Sequence, residues 1–265
     1  MSNQPPEHPC FSLAEAEKQA VDVLTPELKD HLDLTEFAFN LIRGVQTAAP
    51  RLPLPRVTQA RKVCTTLLVR ASNDLRCAAL LAVRGYAIQA VSTVASMYEV
   101  TFTLAAIGDD ETLAQTWIDH DDPTRPFMPI KPLTKLALTK LGIPDPATHT
   151  ERQYLTYRQL CMAKHANPLF QTQHGQQRRG NVMFSQNGPD LSEPALRAAW
   201  FALEHAAGLA SVAAGSFLAN HVPRSEAVAL RSEVTNLNKR VVFELRRRAV
   251  ARWGSEDPLP GKWKL

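Results

Sequence analysis

Glycine is scarce in this chain, with 11 in 265 residues against 19 prolines. So few glycines argue against Rossmann sheets, Gly-rich phosphate loops and collagen-like repeats. Cysteine is scarcer still. Cys10, Cys64, Cys77 and Cys161 form no CxxC pair, which points to reduced thiols and away from a disulfide framework or a zinc knuckle. No basic-then-apolar leader opens the sequence, and the bland run 206–219 is too short to span a bilayer. The expectation is a soluble, cytoplasmic protein without membrane contact. No Walker-type loop, HExxH motif or nucleophile elbow is present, so no cofactor is expected.

What is present is ordinary globular material. Apolar residues make up 45% and charged residues 21%, enough to bury a real core. The net charge is +4, which permits nucleic-acid contact without demanding it. The charge is unevenly placed. The first fifty residues are acidic (Glu15, Glu17, Asp22, Glu27, Asp30, Asp33, Glu36), and the stretch beyond 223 is basic (Lys239, Arg240, Arg246, Arg247, Arg248, Arg252). An acidic head can pack on, or simply oppose, a basic tail, and a basic helical face can track phosphates or simply be solvated.

Periodicity divides the chain. Residues 1–11 read as a disordered, Pro-rich lead. An N-terminal helical segment follows over 12–50, interrupted at Pro26 with Thr25 as a cap. A helical domain spans 56–253, and 254–265 form a tail. The clearest signal is Ala71, Leu75, Ala78, Ala82, then Gly85-Tyr86, then Ile88, Val91, Ala95, Tyr98, Phe102. It predicts two amphipathic helices packed antiparallel or kinked about a tight break. Shorter helices are expected near 111–120, 131–142 and 147–166, the last stopped by Pro168, and two strong ones finish the chain. No alternating strand pattern of any length occurs. The fold class is all-α, a helical bundle with extra N-terminal helices and a small hairpin near 168–187.

One segment carries chemistry: Tyr154-Leu-Thr-Tyr-Arg158-Gln159-Leu-Cys161-Met162-Ala-Lys164-His165-Ala-Asn167-Pro168. Arg158 and His165 are seven residues apart on one helix face, about 10.5 Å along the axis. One copy of each therefore cannot easily grip one phosphate. Two copies meeting across a twofold axis can bring both pairs around one cleft. An imidazole titrating near neutrality can move a 2′-OH proton, and a guanidinium can hold the developing phosphorane charge.

Arg, four to six residues, then His resembles the signature of the HEPN superfamily (higher eukaryotes and prokaryotes nucleotide-binding domains), and Arg158 to His165 sits at its upper spacing. The helices over 56–107 and 147–222 are similar to that superfamily's bundle. The resemblance implies a dimeric, metal-independent endoribonuclease, a toxin or phage-defence effector. Its partners would be a second copy of the chain, RNA, and an antitoxin or defence-system protein. Arg158 and His165 would be catalytic. Gln159 departs from the Asn, Asp or His often found after the arginine; it can hydrogen-bond but cannot shuttle a proton.

Gln159, Lys164, Asn167 and the loop residues Arg178 and Arg179 are the supporting, RNA-binding candidates. Asp74 and Glu99, acids amid apolar neighbours, are candidates for orienting Arg158 or His165. Asp119-His120-Asp121-Asp122 are contiguous and cannot converge on a metal, so no metal site is expected. The alternative readings are a non-catalytic HEPN-like module binding nucleic acid or a nucleotide, and a structural helical adaptor.

Overall fold

In the computed structural model the described residues are 12–122, 124–165, 176–179, 182–185 and 188–254, with backbone alone for the two short stretches. The lead over 1–11, Asn167, Pro168 and the tail from 255 lie outside them. The fold is all-α. Its helices are α1 (Leu13–Glu27), α2 (Lys29–Ala48), α3 (Gln59–Val83), α4 (Ala87–Ile107), α5 (Glu111–Ile118), α6 (Ile130–Lys140), α7 (Pro146–Lys164), α8 (Glu193–His221), α9 (Arg224–Arg240) and α10 (Arg246–Trp253). A short antiparallel hairpin, β1 (Gln176–Arg179) and β2 (Val182–Ser185), lies between α7 and α8. Gly180 and Asn181 separate its strands, a two-residue hairpin signal.

Helix starts follow local chemistry. Ser12 accepts from the Glu15 amide, Thr58 from Arg61 and Ser192 from Ala195, each satisfying one orphan N–H. A more distant cap comes from α5: the Glu111 carboxylate accepts the backbone N–H groups of Gln59 and Ala60, both at 3.0 Å, at the start of α3. Helices α3, α4 and α8 form the centre, packed pairwise, with α2 against α3 and α8. In α8, Ala198, Ala199, Ala202, Ala206, Ala210 and Ala213 are all buried. Alanine gives high helix propensity and lets neighbouring helices approach. By length and composition alone α4 and α8 can cross a membrane, but most of each is buried inside the bundle. Helix α8 is thus much longer than the bland run read from 206–219.

The tight break between α3 and α4 is met at Arg84–Tyr86, where Gly85 takes φ +82°. A Cβ there would lie 2.8 Å from Pro189 Cβ, and Gly85 O accepts from Asp190 N at 2.9 Å. The turn therefore fixes the start of α8 as well as the α3–α4 hairpin. Gly85→Ala is expected to destabilise the protein by about 2 kcal/mol or more, read from denaturant midpoints, because strain and overlap add.

Two expectations about helix boundaries are corrected. Pro26 does not interrupt the chain, and Thr25 is no cap: α1 runs through both to Glu27, and the break falls at Leu28. Pro26 forfeits the hydrogen bond to the Asp22 carbonyl and crowds it, and the helix ends within two residues, at Leu28. The last periodic stretch is not one uniform helix either. One π-helical turn over Val241–Leu245 separates α9 from α10.

The acidic head does pack on the basic tail. Arg252 reaches Glu27 at 2.6 Å and Glu193 at 3.0 Å, Arg248 pairs with Asp30, and Arg246 pairs with Glu204 at 3.2 Å. Much of the C-terminal basic run is thereby paired, while Lys239 and Arg247 have no ion pair among the described residues. Arg252 also lies 5.4 Å from the Trp253 ring centroid. Arg252→Ala is expected to cost about 1 kcal/mol, a Tm shift of about 2–4 °C that shrinks at high salt.

Candidate functional site on helix 7

Helix α7 begins abruptly. Asp145 adopts φ +48°, a left-handed conformation that aspartate tolerates better than most, and its carboxylate accepts from the Thr148 amide at 3.4 Å. Pro146 follows in the first turn, where its missing N–H costs nothing. The helix packs on α4 and α6 through Thr150, Leu160 and Ala163, all buried. It ends at Lys164, one residue before His165, whose N–H still donates to Cys161 O at 2.9 Å. His165 is therefore the C-cap, not an interior helical residue, and the helix stops short of the predicted 166.

The inner edge of α7 is organised by Glu99 of α4. Its Oε1 accepts from the Tyr157 hydroxyl at 2.7 Å and from Lys164 Nζ at 2.9 Å. Burial raises the Tyr157 pKa first, and the neighbouring Cys161 thiol and Glu99 carboxylate push the same way, so the phenol stays a donor. The Cys161 thiol is likewise held protonated by burial. The Tyr157 ring lies 5.0 Å from Tyr98, whose own hydroxyl meets Thr134 Oγ1 at 3.2 Å.

The outer edge is different. Glu151, Leu155, Arg158, Met162 and His165 recur at steps of four and three, so they form one stripe. Leu155, Arg158 and His165 are exposed, and Met162 is half-buried. Among the described residues neither Arg158 nor His165 has an ion pair.

The fold thus brings some of the predicted site residues together and separates others. Arg158, Gln159, Lys164 and His165 share the C-terminal half of α7, but Lys164 is turned to Glu99. Glu99 does reach α7, yet it holds Tyr157 and Lys164 rather than Arg158 or His165. Asp74 does not reach α7; it is bound by Arg70 on its own helix at 2.9 and 3.1 Å. Burial raises the Asp74 pKa, against the pull of Arg70. Arg178 and Arg179 lie on β1, and their side chains are outside the described residues, as is Asn167. Asp119 and Asp122 make local bonds with Gln115 and Thr124, and His120 donates to Arg125 O. No group of three His, Cys, Asp or Glu side chains able to hold a metal occurs among the described residues.

Tyr157 was missed from sequence, although a tyrosine three residues after another, one turn before a Cys-Met pair, marked the packed side of α7. Glu204, buried at 5% exposure in the apolar stripe of α8, was missed as well. A charged residue inside an alanine-rich core run was its signal.

No family model, curated protein or solved structure matches the chain.

Proposed function

We propose that this chain is a homodimeric, metal-independent endoribonuclease of the HEPN type, acting in the cytoplasm as a toxin or phage-defence effector. The observation that carries the reading is the exposure of Arg158 and His165 on one stripe of α7 with no ion pair among the described residues. Arg70 and Lys164 are exposed too, but each is held by a carboxylate, Asp74 and Glu99 respectively.

Seven residues of helix rise still separate the two by about 10.5 Å, so a single protomer supplies only half a site. Two α7 helices crossing antiparallel at a twofold axis near Met162 place Arg158 of one protomer opposite His165 of the partner subunit. The imidazole then takes the 2′-OH proton and returns one to the leaving 5′ oxygen. The guanidinium stabilises the charge that builds on phosphorus-bound oxygens. The products are a 2′,3′-cyclic phosphate and a 5′-hydroxyl end.

The test is incubation of purified protein with total RNA and tRNA in EDTA. EDTA-resistant cleavage leaving 2′,3′-cyclic phosphate ends is the expected outcome. Folded, dimeric protein that leaves RNA intact overturns catalysis. It then favours the second reading, a non-catalytic RNA-binding module. Gln159, half-buried beside Arg158, is the residue that favours that alternative, because an amide cannot carry a proton. Its mark is salt-sensitive RNA binding without turnover.

A further inference from the structure

We infer that the outer face of α3 is a docking surface for the phosphate backbone of duplex RNA. The inference rests on RNA being the ligand of α7, and it names the form of that RNA and the surface that holds it. Helix α3 runs for 25 residues, from Gln59 to Val83. Lys62, Arg70, Arg76 and, at the C-cap, Arg84 are all exposed. At 3.6 residues per turn the four fall within about 120° of arc, so they share one face. They follow one another at about 12, 9 and 12 Å along the axis, a row of about 33 Å.

Little opposing charge meets this row. The single acid of α3, Asp74, is buried, and Arg70 Nε holds it at 2.9 and 3.1 Å. Lys62, Arg76 and Arg84 have no ion pair among the described residues. That sets them apart from Arg246, Arg248 and Arg252, whose charge is met by carboxylates of the fold. Two carboxylates flank the face. Glu36 of α2 lines a groove with Arg43 and Arg76, so two cations share that groove with one anion. Glu17 of α1 accepts from the Tyr86 hydroxyl at 2.8 Å, close to the Arg84 end of the row. The face as a whole stays positive.

The other residues on the face point to the form of the ligand. Thr65, Thr66 and Asn73 are exposed between the cations. Arg, Lys, Thr and Asn are the side chains that bond phosphate and sugar oxygens without reading sequence. No aromatic residue occurs anywhere in α3. Recognition of single strands leans on aromatic rings that stack splayed bases. Duplex RNA hides its base faces and is held through shape, phosphates and 2′-hydroxyls. A straight row of cations without a stacking platform therefore fits a duplex. The cations sit at unequal intervals. A backbone with a charge at every nucleotide meets them in any register, whereas a folded acidic protein needs carboxylates placed to match.

The test is fluorescence anisotropy with the full chain and a 2′-O-methyl RNA duplex of about 16 base pairs, the length a duplex-binding domain spans. The methyl groups block the hydroxyl that cleavage needs, so binding is read without turnover. The duplex is expected to bind with a Kd below about 100 μM near physiological salt, and its single strand about tenfold more weakly. The combined variant Lys62→Gln, Arg76→Gln, Arg84→Gln is expected to weaken the duplex about tenfold or more. It should also flatten the log–log salt dependence by about three, one for each lost phosphate contact. The control Arg231→Gln, Lys239→Gln, Arg247→Gln removes the same charge from exposed positions beyond α8, and is expected to keep most of the affinity. Circular dichroism checks that both variants are folded. The inference is overturned by no duplex binding, by equal binding of the single strand, or by equal loss in the two variants. Displacement of the duplex by polyglutamate as readily as by unlabelled duplex also overturns it, in favour of an acidic protein. EDTA-resistant cleavage of natural RNA by a protein that fails these binding tests counts against the α3 face alone. Passing them without cleavage supports the face and counts against the α7 chemistry alone.

Discussion

His165→Ala is expected to lower the rate of EDTA-resistant RNA cleavage by about a hundredfold or more, the usual worth of a positioned general acid–base group. Arg158→Ala is expected to do the same by removing charge stabilisation at the phosphorane. Both side chains are exposed, so the folding free energy should move by no more than about 0.5 kcal/mol. This separation of activity from stability is the useful part of the prediction. Tyr157→Phe gives a contrast. It strips the Glu99 carboxylate of a donor at 2.7 Å, so its effect should appear in stability first and in cleavage only as far as α7 shifts.

Acid is expected to destabilise the protein through His31. This residue lies in α2 at 2% exposure, tilted against the Trp200 ring at a centroid distance of 4.4 Å. Its Nε2 has no hydrogen-bond partner among the described residues. Burial lowers its pKa from 6.5 to about 4. Above pH 6.5 the ring is neutral in both folded and unfolded chains, and it exerts no pull. Between 6.5 and 4 the unfolded chain takes up a proton that the folded chain refuses. Stability is therefore lost as pH falls through that window, by about 3 kcal/mol in total. His221, whose pKa is also lowered mainly by burial, adds a drift of the same sign. Comparing wild type with His31→Phe isolates the term, because phenylalanine keeps the ring against Trp200 and does not titrate. Denaturant midpoints at pH 7 and pH 4 should diverge between the two proteins by most of that amount. Parallel loss in both would contradict it.

The bundle was legible in the sequence where periodicity and punctuation agreed. The apolar steps on each side of Gly85-Tyr86 gave α3 and α4. The charge asymmetry allowed an acidic head packed on a basic tail, but which carboxylate meets which arginine, Asp30 with Arg248 and Glu27 with Arg252, was not readable from it. Pro26 placed the break within two residues of Leu28, where α1 ends, but not the residue itself. The π-helical turn left no mark, since Leu237, Val241 and Leu245 keep the same spacing through it. At the candidate site, the stripe of Arg158 and His165 followed from helical spacing alone. The partner of Glu99 did not. Whether an acid on α4 meets Arg158, Tyr157 or Lys164 depends on the rotation of α7 about its axis, which packing of Leu160 and Ala163 decides. Asp74 went astray for a simpler reason: Arg70, one turn away on the same helix, reaches it first.

The most direct test of a composite site is complementation between two inactive variants. Arg158→Ala and His165→Ala proteins are mixed, allowed to exchange protomers, and assayed on RNA in EDTA. Random exchange makes about half of the dimers mixed, each holding one site with an intact arginine and an intact histidine from opposite protomers. The mixture should recover about a quarter of wild-type activity from two inactive parents. A mixture as inactive as its parents, beside an active wild type, would contradict an Arg158–His165 site shared between protomers.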